Sequence, residues 1–143
     1  MKRLCSLLLA FCASATAFAH GDVELGPNKG RLLQVTPDKK VWAEATLRGD
    51  AFHLALLDEA KQPLPVGAAT LTALTADRRN PQTLAVTTVA DGFTVAKPAG
   101  EKFFLILSYK AAPEAKSAVF RLPYDGRNCG DCQKAEWLCA CSH

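Results

Sequence analysis

The sequence predicts an all-β protein, a single antiparallel β-sandwich of about seven short strands with a cysteine-rich C-terminal tail. Three observations predict it. Between Arg31 and Leu122 apolar residues recur with a period of two, in runs of a few residues each. Gly, Pro and Asp separate these runs at roughly ten-residue spacing, as in sandwiches and barrels. No segment keeps a helical period for more than a turn or two.

Val41, Ala43, Ala45 and Leu47 alternate with Trp42, Glu44, Thr46 and Arg48, the pattern of a half-buried strand. Gly49-Asp50 supplies a tight turn, and Phe52, Leu54 and Leu56 alternate after it, so residues 40–57 read as a hairpin closed at Arg48–Ala51. His53 has the opposite parity to Phe52 and Leu54 and is expected on the exposed face, without a neighbour in sequence to pair with. A connection through Pro63 and Pro65 leads to a Thr- and Leu-rich strand at Ala69–Ala76, and Leu84–Val89 is the next. Asp91-Gly92 turns the chain into Phe93–Ala96, and the break at Pro98–Gly100 precedes Phe103–Tyr109, the most apolar run. Val119–Leu122 closes the set, and Asp125-Gly126 ends regular structure.

The amino terminus reads as an export signal. Lys2 and Arg3 precede an apolar run from Leu4 to Ala13, and small residues follow up to Ala17-Phe18-Ala19, so cleavage is expected after Ala19. The run is shorter than the roughly 20 residues a spanning helix needs, so no membrane insertion is expected once the signal is removed. Phe11 occupies the position before Cys12 where a lipoprotein site wants a small residue, which argues against a lipid anchor. The expected division is a signal peptide at 1–19, a polar lead-in at 20–29, the sandwich at 30–123 and the tail at 124–143. The mature 124 residues form one domain's worth of chain.

Loss of Lys2 and Arg3 leaves fifteen basic residues against fourteen acidic ones, a net +1. The charges are interspersed, with no basic run or face of the kind that neutralises phosphates, so nucleic acid is not an expected partner. The sequence carries no nucleophile motif, no glycine-rich phosphate loop after a strand and no paired histidines of metalloprotease spacing, and an enzyme is not expected.

The cysteines are the most uneven part of the composition. Cys5 and Cys12 belong to the signal, the sandwich has none, and the tail has Cys129, Cys132, Cys139 and Cys141, followed by His143. Thiolates and imidazole suit Cu(I) and Zn(II), and CxxC spacing lets two sulfurs turn toward one ion. These five residues are the candidate metal ligands. Export to an oxidising compartment equally permits two disulfides among the four cysteines, which would make the tail a staple on an interaction module. Thiol–disulfide exchange is a third reading, without the strand–helix context that lowers a thioredoxin-type thiol's pKa. Residues 133–138 could form one or two helical turns that pack Trp137 and Leu138 against the sandwich. At the other end, cleavage after Ala19 would expose His20, whose amine and ring nitrogen chelate Cu(II) together, with Asp22 and Glu24 near enough to add oxygen.

The stretch Gly26-Pro27-Asn28-Lys29-Gly30-Arg31-Leu32-Leu33, after His20-Gly21-Asp22, resembles a Gly-Pro-His-Gly-Gly-Arg-Leu-like opening. Such openings occur in small periplasmic β-sandwich domains associated with heavy-metal efflux adaptor proteins of the resistance-nodulation-division type. Leu57-Asp58-Glu59 and Lys61-Gln62-Pro63-Leu64 are loosely similar to the same domains. Asn28 and Lys29 stand where those openings often carry His and Gly, which removes a family-type ligand from that loop. The resemblance implies a periplasmic protein of metal homeostasis or efflux, with a metal ion or an efflux-system protein as partner. The long helical hairpin of a full adaptor is missing from the pattern.

Overall fold

The computed structural model describes residues 23–141, so the expected signal peptide, His20 and His143 lie outside the described residues. Among the described residues, nine strands form two antiparallel sheets. They are β1 (Arg31–Gln34), β2 (Trp42–Arg48), β3 (Ala51–Leu57), β4 (Thr70–Thr75), β5 (Thr83–Leu84), β6 (Val86–Val89), β7 (Gly92–Ala96), β8 (Lys102–Lys110) and β9 (Ala118–Asp125). One sheet runs β1-β2-β3-β7-β6 and the other β5-β4-β8-β9. The all-β sandwich expected from alternation is therefore the fold, with two more strands than expected.

Alternation places the core. Ala43 and Ala45 of β2, Phe52, Leu54 and Leu56 of β3, and Phe93 and Val95 of β7 face inward from the first sheet. Leu71 and Ala73 of β4, Leu105, Leu107 and Tyr109 of β8, and Phe120, Leu122 and Tyr124 of β9 meet them from the second. The β2–β3 hairpin pairs Arg48 with Ala51 and Trp42 with Leu57, the register expected for a turn at residues 49–50. Gly49 there has φ +60°, which a residue without Cβ adopts freely.

The expected strand at Leu84–Val89 is instead two. Thr83–Leu84 pairs with β4, whereas Val86–Val89 pairs with β7 in the opposite sheet, so the chain crosses the sandwich at Ala85. A corner of this kind lets one extended segment close both layers. Short strands on either side of a corner keep the same residue-by-residue alternation, so periodicity alone does not reveal it.

Glu44 and His53, both expected on the exposed face, are buried. Residues 26–30 fold over Glu44. Its Oε1 accepts hydrogen bonds from the backbone N–H of Asn28 (2.7 Å) and Gly30 (2.9 Å), and its Oε2 accepts one from Asn28 Nδ2 (2.8 Å). A Cβ on Gly26 would lie 2.5 Å from Glu44 Cδ, and one on Gly30 would lie 2.5 Å from Ala45 O, so the loop closes this tightly only with glycine at both places. Lys29 between them takes a left-handed φ of 63°.

Replacing Glu44 with alanine leaves two backbone donors, one of them the buried Gly30 N–H, without their acceptor, and the expected cost is about 3 kcal/mol. Glu44→Gln is expected to cost about 1 kcal/mol, because the Asn28 amide can turn over and offer its oxygen to the new NH2. Chemical denaturation of the two variants checks this. Equal losses would mean that the loop is not held by this carboxyl group.

Candidate metal centre

The tail begins where β9 ends and is closed first by a fork. Arg127 donates from Nε to Asp125 Oδ1 (2.9 Å) and from Nη2 to Oδ2 (2.6 Å), and Lys102 Nζ stands 3.6 Å away. The Arg127 hydrogen bonds hold the Asp125 carboxyl well below the usual carboxylate range, and they raise Arg127 in turn. A depressed carboxyl contributes stability that is complete above its unfolded pKa of about 3.9 and is lost as pH falls through the folded value. Melting temperatures are therefore expected to fall more steeply below about pH 4 in the natural protein than in Asp125→Asn. Parallel pH profiles for the two proteins would contradict this linkage.

Beyond the fork the chain makes a small hairpin. Glu136 N–H donates to Arg127 O (2.8 Å), Asn128 bridges Ala135, and Cys129 N–H donates to Lys134 O (2.7 Å). At the tip, Gln133 N–H returns to Cys129 O (3.0 Å). This requires Gln133 to adopt φ 60°, a conformation a glycine takes more easily, and its side chain donates to Gly130 O (3.0 Å). Strained backbone of this sort persists where surrounding structure demands it. Here the demand is to fold Cys129-Gly-Asp-Cys132 so that both sulfurs face the same side.

The second pair of sulfurs is brought in by Trp137. Glu136–Leu138 forms a single 3-10 turn, shorter than the one or two helical turns expected for residues 133–138. Trp137 is buried, as expected, against rings from both sheets: Phe52 at 5.7 Å and Tyr124 at 5.5 Å between centroids. Arg31 Nη1 donates to Trp137 O (2.8 Å), and burial lowers that guanidinium's pKa. Cys139 N–H caps the turn on Glu136 O (3.1 Å), which sets Cys139 and then Cys141 beside the hairpin tip.

The result is a four-sulfur cluster. The Sγ atoms of Cys129, Cys132, Cys139 and Cys141 all lie within 4.8 Å of one another, and Cys132 and Cys139 are 3.6 Å apart. An ideal tetrahedron with Zn–S bonds of 2.3 Å has edges of about 3.8 Å. A disulfide would need about 2.05 Å, and none joins these residues.

Amides surround the sulfurs. The backbone N–H of Cys132, then the Cys139 side chain and the Asp131 N–H, lower the Cys129 pKa, and the Lys134 N–H brings Cys132 down to about 7. The Cys141 N–H, 3.3 Å from Cys139 Sγ, pulls the Cys139 value down, but the Cys129 sulfur, burial and the Cys132 sulfur together push it up. Hydrogen bonds to Cys139 and Cys132 push Cys141 up to about 12. Cys129 and Cys132 are thus shifted toward the thiolate, and Cys139 and Cys141 toward the thiol. A cation held by the four sulfurs would favour the thiolate at each of them, so binding one would release protons.

No known protein family, curated protein or solved structure matches this chain.

The other candidate residues fare differently. His20 and His143 lie outside the described residues, so the described ligand set is the four cysteines. Asn28 is committed to Glu44. His53, expected to be exposed and unpaired, is 5% exposed, and its Nε2 lies 2.9 Å from Asp91 Oδ1. The reason is its place on β3, flanked by β2 and β7, with Asp91 carried over it by the turn into β7. The hydrogen bond with His53 lowers the Asp91 pKa. Sequence alternation showed the face but not the partner, which is 38 residues away.

Proposed function

We propose that this chain is an exported metal-binding protein of envelope metal homeostasis or efflux. The β-sandwich is the scaffold, and Cys129, Cys132, Cys139 and Cys141 hold one thiolate-seeking ion, Zn(II) or Cu(I). One observation carries the reading: four sulfurs lie within 4.8 Å of one another, with backbone N–H groups directed at them. Such amides orient ligands and offset thiolate charge, as outer hydrogen bonds do around bound metals. Four sulfur ligands suit Zn(II), and Cu(I) accepts the same donors.

Export is supported by the charged start and apolar run of residues 2–13. The periplasmic setting and an efflux-system partner are supported by the resemblance of residues 26–33 alone. In this reading the protein binds and does not catalyse, and nucleic acid is not its partner.

The contact between Cys132 and Cys139 at 3.6 Å also favours a second reading, in which the tail oxidises to disulfides and the sandwich is an interaction module. One experiment separates the two. Cys139→Ser with Cys141→Ser is expected to lower bound zinc or copper from one ion per chain to nearly none, with the far-ultraviolet β-sheet spectrum unchanged. Metal content unaffected by the double substitution would sink the metal-binding reading.

A further inference from the structure

The four sulfurs differ in access. Cys129 and Cys139 are buried, whereas Cys132 and Cys141 are half-buried, so the cluster offers one edge to solvent. The two edge residues also differ in how the chain holds them. Cys132 sits inside the closed turn between Cys129 and Lys134, with Gln133 N–H bonded to Cys129 O and the Lys134 N–H directed at its sulfur. Cys141 follows the 3-10 turn and belongs to no strand or helix. Among the described residues its backbone is tied by its own N–H to Cys139 Sγ.

We infer that a bound ion exchanges at the Cys132–Cys141 edge with a thiol-bearing acceptor, and that Cys141 is the ligand that leaves first. This rests on the metal-binding reading above. Removing Cys129 or Cys139 from the ion would mean opening the hairpin or unseating Trp137, whereas moving Cys141 leaves both the hairpin and the Trp137 turn in place. The acceptor is a thiol because a ligand that displaces a thiolate from such an ion must match it in softness. In the step, the incoming sulfur bonds to the ion as the bond from the ion to Cys141 Sγ breaks. The incoming thiol's proton passes to Cys141 Sγ, and the ion keeps its oxidation state.

The test uses the Zn(II)-loaded protein under reductant, treated with iodoacetamide for increasing times and read by peptide mass mapping. Cys141 is expected to be alkylated first, well ahead of Cys129 and Cys139. A first reaction at Cys132, or equal rates at all four, overturns the inference. A second measurement follows zinc transfer to a synthetic Cys-X-X-Cys peptide. Cys141→Ser should transfer faster than the natural protein, and a peptide with Asp in place of Cys should take none. Transfer no faster in Cys141→Ser, or equal transfer to the Asp peptide, also overturns it. If the protein retains no zinc before alkylation, the metal-binding reading itself fails. If zinc is retained and another cysteine reacts first, the exchange inference fails alone.

Discussion

Replacing Trp137 with alanine is expected to cost about 3–5 kcal/mol, the usual range for emptying a buried tryptophan site. For a domain of this size that is a fall of roughly 10–20 °C in Tm. The magnitude follows from the position of the ring. Trp137 is 4% exposed and packs on Phe52 of one sheet and Tyr124 of the other, where Tyr124 also stacks on Phe103 at 4.7 Å. It therefore closes one end of the sandwich as well as anchoring the tail. The same substitution should weaken metal binding, because Cys139 is placed by the turn that Trp137 pins. Trp137→Phe should recover much of the stability, since a smaller ring keeps the aromatic contacts. Thermal denaturation of both variants checks this. An alanine variant within about 2 °C of the natural protein would mean that the tail is not docked as described.

Saturation with zinc is expected to raise Tm by roughly 10–20 °C under a reductant that does not bind the metal. Free ligand at a thousand times its Kd adds about 4 kcal/mol if it binds only the folded state. The hairpin at residues 127–136 and the Trp137 turn must both be formed for the four sulfurs to meet, so the unfolded chain has no comparable site. The gain reaches the whole sandwich because Trp137 couples the tail to its core. Cys139→Ser with Cys141→Ser should abolish the shift. A shift that survives this double substitution would place the zinc elsewhere in the protein. Because an ion bound by thiolates competes with their protons, the shift should also shrink as pH falls.

Much of the architecture was legible because it is local. The β2–β3 hairpin could be read from Val41 to Leu56, since small and apolar residues alternate around a Gly-Asp turn and nothing distant alters that register. The division of Leu84–Val89 between two sheets was not legible, because a corner at Ala85 preserves the alternation on both sides. Glu44 and His53 were misplaced for a related reason. Alternation tells which face of a sheet a residue is on, and burial of that face depends on what crosses it. Here the Gly26–Gly30 loop covers Glu44, and Asp91 reaches His53 from the turn before β7.

The candidate site divides in the same way. Four donor cysteines in the tail were visible from composition and spacing, and Trp137 and Leu138 could be read as packing back on the sandwich. Their convergence was not, because it depends on a left-handed Gln133 and on a hairpin tied to Arg127, features that have no signature in single residues. The choice between ligands and disulfides was also open in the sequence. The structure brings all four sulfurs to one place, where they could hold a metal ion, and joins none of them in a disulfide.

The central claim, one ion held by four thiolates, is tested most directly by native intact mass spectrometry on protein exported to a periplasm, with the denatured mass taken in parallel. The account predicts one zinc or copper ion per mature chain in the native spectrum and four intact tail thiols in the denatured one. A denatured mass lower by four hydrogens, with no ion in the native spectrum, would contradict it and make the tail a pair of disulfides.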